Sequence, residues 1–228
     1  MTRFTKLLAT AGLAIAATAA LPANAQVQGN IATVDVTRTI IGTTAFQNAY
    51  EQVGTTYLEQ NNLRRTKAQE RQTLLAKFDK NKDNSIEGDE KTAMEKSPDY
   101  AKIQTLEQEI IALTNQVDGA RVFAVEQIIM QYSSALSDVT TAQNIKIVLD
   151  PSTLLFSVPE ADITQQVTNA LNARVPAVGV VPPAGWRPSR EGVQLYEEIQ
   201  QRLAIAAQFQ QQQAAQQQQG NPGAPVGR

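Results

Sequence analysis

Apolar positions change rhythm several times along the chain. Leu7 to Leu21 is a mostly apolar run without charge, rich in Ala and Leu. Ile31-Ala-Thr-Val-Asp-Val36 is short and β-branched, and predicts a buried strand. After Thr37 the spacing turns helical. Ile40, Ile41, Phe46, Tyr50, Val53 and Tyr57 recur on one side, with Ala45 and Ala49 beside them. Gln60 to Lys77 continues as a polar helix with Leu63, Leu74 and Leu75 as its apolar residues, and Phe78 just beyond.

The clearest period follows. Ser97-Pro98-Asp99 predicts a helix start: Ser caps, Pro takes the first position and Asp the first turn. Ile103, Leu106, Ile110, Leu113 and Val117 step by 3, 4, 3 and 4. After a break around Arg121, Val125, Ile128, Tyr132, Leu136 and Val139 resume the stripe. Read as one helix, residues 98–142 would extend about 67 Å. A helix of that length must project, paired with the incoming helix as an antiparallel hairpin.

Ile145–Leu149 predicts a second strand, ended by Asp150-Pro151, and Leu154–Val158 a third, ended by Pro159. Asp162 or Thr164 can cap a helix through Ala173, with Ile163, Val167 and Leu171 on one face. The predicted fold class is α+β. A small three-stranded sheet body (residues 30–37 and 144–173) carries a long antiparallel helical hairpin (38–143). Residues 174–190 form a Pro/Gly-rich linker containing the only Trp, Trp186, and both a tucked and an exposed placement fit it. Residues 191–209 form a short helix with Val193, Tyr196, Ile199 and Leu203 on one side. The Gln-rich stretch 210–228 is predicted to be disordered, having little apolar surface to offset its ordering entropy.

The first run belongs to a leader. Arg3 and Lys6 precede it, and Pro22-Ala23-Asn24-Ala25 closes it with a small-residue cleavage pattern. Residues 1–25 therefore predict a cleaved signal peptide, with an uncleaved anchor as the alternative. The run is shorter than the roughly 20 residues that span a bilayer. Removal of Arg3 and Lys6 takes the basic count from 20 to 18 against 22 acidic, a net charge of −4. The implied location is the periplasm.

Composition then narrows the chemistry. The 228-residue chain has no Cys and no His, which removes disulfides, thiol nucleophiles, Cys-based zinc sites and the usual general base. There is no nucleophile–base constellation, phosphate-binding Gly loop or basic excess for nucleic acid, so an enzyme has no positive support. Arg64, Arg65, Lys67, Arg71, Lys77, Lys80 and Lys82 make the outer first arm basic. That charge could steer acidic client loops, an anionic membrane or lipopolysaccharide; a solvated helix face is the plainer alternative.

Residues 79–90 hold the strongest local motif. Asp79, Asn81, Asp83, Ser85, Glu87 and Glu90 stand at positions 1, 3, 5, 7, 9 and 12 of an EF-hand-like calcium loop, with Ile86 at position 8. Hard oxygen ligands at that spacing can wrap one Ca2+. Position 6, usually Gly, is Asn84, the next-best residue for a left-handed backbone. The alternative is an acidic turn at the hairpin tip that holds no metal.

Three segments, Ile31–Arg38, Asn144–Pro151 and Leu155–Thr164, appear in order around the long hairpin. Together with the leader and the helix ending near Asn172, they resemble the Skp/OmpH family of periplasmic chaperones. That resemblance implies a homotrimer shaped like a jellyfish. Its function would be that of an ATP-independent holdase for unfolded outer-membrane proteins. The loop at 79–90, the acidic net charge and the extension past residue 174 depart from the family pattern. A calcium-binding envelope adaptor is the second reading.

Overall fold

The computed structural model describes residues 30–219. The predicted leader, and residues 220–228 of the predicted tail, lie outside the described residues.

The chain begins with β1 (Ile31–Thr33), which ends three residues before the predicted Val36. Asp35 is the reason. Its carboxylate accepts the Arg38 amide at 2.9 Å and caps helix α1 (Val36–Ile41), so Val36 opens a helix instead of ending a strand. Thr43 caps α2 (Thr44–Thr56) in the same way, and α3 (Leu58–Leu75) follows after a break at Tyr57. The loop leads into α4 (Gly88–Glu95) and then α5 (Asp99–Ile129). Ser97 accepts the Asp99 amide at 3.1 Å as the predicted cap, although the helix opens at Asp99, one residue later than placed.

The predicted single helix 98–142 is two helices. It is interrupted at Met130–Gln131 and not at Arg121, and α6 (Tyr132–Ala142) completes it. At 31 residues, α5 is about 46 Å long. It runs antiparallel to α3. Salt bridges join the pair, the first-arm end nearest the body meeting residues further along α5 and the tip end its start: Lys67–Glu109 at 2.7 Å and Arg71–Glu107 at 2.9 Å, then Glu70–Lys102 at 2.5 Å and Lys77–Asp99 at 2.8 Å.

β2 (Ile147–Leu149) returns beside β1 in parallel, with Ile31 opposite Ile147 and Thr33 opposite Leu149. Parallel pairing needs a long crossover, and the whole hairpin supplies it. The predicted third strand is absent. Leu154–Val158 lies between two 3-10 turns, Pro151–Thr153 and Pro159–Ala161, and joins no strand. A lone bridge from Thr33 to Asp162 stands in its place. The two prolines set φ and withhold amide donors on either side of the segment, which holds it off the sheet.

Helix α7 (Thr164–Arg174) closes the body, and the Thr164 amide donates to Asp162 Oδ1 at 2.9 Å. Thr33, Thr37, Thr39, Thr164 and Thr168 are buried around this corner. Thr164 Oγ1 accepts the Asp35 amide and Thr168 Oγ1 donates to the Thr39 carbonyl, so these two buried hydroxyls are partnered. The main core packs Ile40, Phe46, Val125, Ile128, Ile163, Val167 and Leu171 together.

Helix α8 (Arg190–Gln219) buries Leu195, Tyr196 and Ile199, with Val193 and Leu203 half-buried. Leu195 falls outside the predicted stripe. The helix also continues ten residues past the predicted end at 209. Gln and Ala are good helix formers, and a docked first half removes the cost of nucleating the second.

Candidate functional site

The loop at the arm tip carries two non-glycine residues with left-handed backbones. Asn84 at position 6 has φ 64°, and Lys82 at position 4 has φ 60°. The Asn84 amide donates to Asp79 Oδ2 at 3.1 Å. The Asp83 amide donates to Asn81 Oδ1 at 3.1 Å, and the Ser85 amide to Asp83 Oδ1 at 2.8 Å. These bonds place positions 1, 3 and 5 around the inside of the turn.

The acidic ligands beyond them are turned elsewhere. Glu90 accepts the amides of Lys80 and Asn81 at 2.8 and 3.3 Å, and Glu87 accepts the Ser85 hydroxyl at 3.0 Å. Among the described residues, no three acidic side chains converge on one point that would hold a metal ion. One oxygen stays unsatisfied: Asp79 Oδ1 is shielded from solvent and meets no donor. Glu90 would have to rotate away from the Lys80 and Asn81 amides to join Asp79 at one point.

The arm behind the loop is held by a small apolar cluster of Leu74, Ile103 and Leu106, flanked by Leu75, Phe78 and Met94. Of the predicted stripe, Ile103, Leu106 and Val117 are buried, and Ile110 and Leu113 half-buried. Leu58, Leu63 and Ile111 are exposed on the arm. The basic stretch is partly neutralised, because Lys67, Arg71 and Lys77 pair with carboxylates of α5. That weakens the expectation of steering by this face.

Further apolar side chains are open on the body. Leu155 is fully exposed and Phe156 is 82% exposed, with Val158, Ile31 and Ile147 also open. The sequence pattern of Leu154–Val158 predicts a third strand. Its apolar character is real, but none of the described residues covers it. The flanking Pro151 and Pro159 were the signal that could have shown this.

Asp162 links this segment to the body. Burial alone would raise its carboxyl, but hydrogen bonds from Thr164 and Arg38, with the Arg38 charge, outweigh it and hold it below the usual carboxylate range. Arg38 pairs with Asp162 and also donates to Thr164 Oγ1 at 3.0 Å.

No helix among the described residues is long and apolar enough to cross a membrane. No curated protein matches the chain. The solved structures include an OmpH-like protein from Caulobacter crescentus CB15, 18% identical, with a TM-score of 0.38; the match covers 69% of this chain and 93% of that one. Residues 30–171 match the family described as outer membrane protein (OmpH-like), a span from β1 to the last buried leucine of α7. Two strands in parallel, a helical hairpin between them and a closing helix are thus the parts of a chain that belongs to the OmpH-like (Skp) family of outer membrane chaperones, which are not enzymes.

Proposed function

We propose that this protein is an ATP-independent periplasmic holdase that keeps unfolded outer-membrane proteins from aggregating and delivers them for assembly. We propose further that it works as a homotrimer. The observation that carries this reading is the uncovered apolar surface at Leu155, Phe156, Val158, Ile31 and Ile147. A two-stranded sheet is marginal alone, and large exposed apolar patches mark association surfaces. Two further copies would cover the patch and close the body. Three arms would then surround a client. Leu58, Leu63 and Ile111 offer weak, sequence-tolerant contacts, and their repetition across copies raises the effective concentration of binding sites.

Aggregation of a urea-unfolded β-barrel protein, followed by light scattering on dilution, tests the holdase. Suppression near stoichiometric trimer is the expected result; no protection would remove the reading. Mass measurement in solution tests assembly. A trimer is expected from the native chain, and Phe156→Asp should shift it toward monomer.

The second reading is a calcium-binding loop that stiffens the arm tip or serves an envelope adaptor. The unpartnered Asp79 Oδ1 and the left-handed Asn84 favour it. Glu90 would swing from the Lys80 and Asn81 amides to complete the ligands. Calorimetric titration with Ca2+ compares the native chain with Asp79→Ala/Glu90→Ala. Heats that vanish in the double variant support the site, and identical heats in both reject it.

A further inference from the structure

The family match ends at residue 171, yet the chain from Val175 to Leu203 is built into the root of the arm. We propose that residues 175–203 act as a clamp across the hairpin root and fix the angle at which the arm leaves the body. The consequence for a client, a cavity of set width, rests on the holdase reading; the clamp itself does not.

The helices are interrupted on both sides of the root. Gly42–Thr43 separates α1 from α2, and Met130–Gln131 separates α5 from α6. Such element ends are where hinges form, because a few residues there can absorb large backbone changes. The clamp bonds to both sides of the first break and to the α5 side of the second. On the body side, Arg202 pairs with Asp35 at 2.6 Å, and Thr37 donates to Glu198 at 3.0 Å. On the arm side, Tyr196 donates to Asp118 at 2.7 Å, and Gln200 donates to Tyr50. A pivot at either break would have to sever one set of bonds.

The extended part of the clamp is gripped as firmly. The Gln127 side chain holds Gly179 in both directions, donating to its carbonyl at 2.8 Å and accepting its amide at 3.0 Å. Val180 is 2% exposed among Ala49, Val53, Tyr57, Val117, Ala120 and Ala124, and the Tyr57 hydroxyl donates to its carbonyl. Trp186 meets Phe123 edge-on at 5.3 Å and donates to Glu126 at 3.2 Å. The other Glu126 oxygen accepts the Ser189 amide at the start of α8. Gly192 completes the fit: a Cβ there would lie 2.4 Å from Glu126 Oε1. A tail resting on an apolar face would not need reciprocal backbone bonds, nor a glycine cut to the shape of a carboxylate.

The chain has no Cys, so Gln69→Cys on α3 and Asn169→Cys on α7 give unique spin labels on arm and body. Pulsed dipolar spectroscopy, with labelled chains diluted into unlabelled ones, then reads the arm-to-body distance without any client. Val180→Asp/Trp186→Ala alters only the clamp, and circular dichroism checks that the helices survive. Hydrogen exchange at Gly179 and Val180 reports release. The native chain should give one narrow distribution, and the released clamp one at least roughly twofold broader. Gly192→Ala, a milder variant, should broaden it less. An unchanged width with a released clamp overturns the proposal, as does an already broad distribution in the native chain. Absent holdase activity with this pattern intact would count against the function alone.

Discussion

The root of the hairpin and its middle are made from the same two strands of chain, but different forces hold them. At the root, Val53, Val117, Ala120, Val125 and Ile128 are buried from the flanking helices; Val178 and Val180 pack with the first three, and Leu195 and Ile199 of α8 with the last two. In the middle, no residue from 107 to 116 is fully buried, and α3 buries only Leu74 at its far end. There the helices are joined by Lys67–Glu109 and Arg71–Glu107. Apolar burial is insensitive to salt and resists local opening, whereas partly exposed ion pairs are weak and screened. One hairpin thus combines a fixed base with a compliant wall.

The largest expected effect separates these regions directly. Ile128→Ala removes a fully buried side chain from the main core and should cost about 2–5 kcal/mol in global denaturant unfolding. Leu106→Ala, in the small cluster near the tip, should fall at the low end of that range and raise hydrogen exchange chiefly in α3 and the first turns of α5. Equal global costs at the two sites would break the comparison.

Alkali should then attack the root alone. Burial, with smaller contributions from Asp150 and Asp35, pushes the Tyr132 hydroxyl up to about 12. Burial and donation to Asp118 raise Tyr196 further. A folded-state value above the unfolded one means the stabilisation is complete below about pH 10 and is lost as pH rises through about 12. With Tyr132 only partly buried, about 1–2 kcal/mol is at stake there. A stability profile for Tyr132→Phe should lack part of this alkaline loss. An identical loss in the variant would show that buried tyrosines do not distinguish the root.

How much of this was legible follows the range of the interactions. The polar helix 60–77, the stripe at Ile103 and Leu106 and the left-handed Asn84 were all readable, since period and turn chemistry are local. The Asp35 cap was also local, but the β-branched run through Val36 masked it. Leu154–Val158 misled because an apolar composition favours burial without saying by what, and the described residues of one chain supply no cover. Val178 and Val180 sit among prolines and glycines with no period, so their burial against Tyr57 and Gln127, across more than 50 residues of sequence, left no trace in the linker pattern.

The smallest effect probes the wall. Glu109→Gln removes the acceptor of the Lys67 bridge, whose side chains are 21% and 44% exposed. Such pairs contribute about 0.2–1 kcal/mol, so global unfolding should barely move. Local opening is the better readout. Exchange in the middle of α3 should rise several-fold at low salt, because a change near 1 kcal/mol is about fivefold in an opening equilibrium. In 0.5 M salt the Debye length shrinks to roughly 4 Å, and native and variant chains should converge. Exchange at Val53 and Val125 should stay unchanged in every condition. A salt-independent difference in α3 would mean the bridge acts by packing its Lys67 stem, and the two halves of the hairpin would then differ in degree of burial and not in kind.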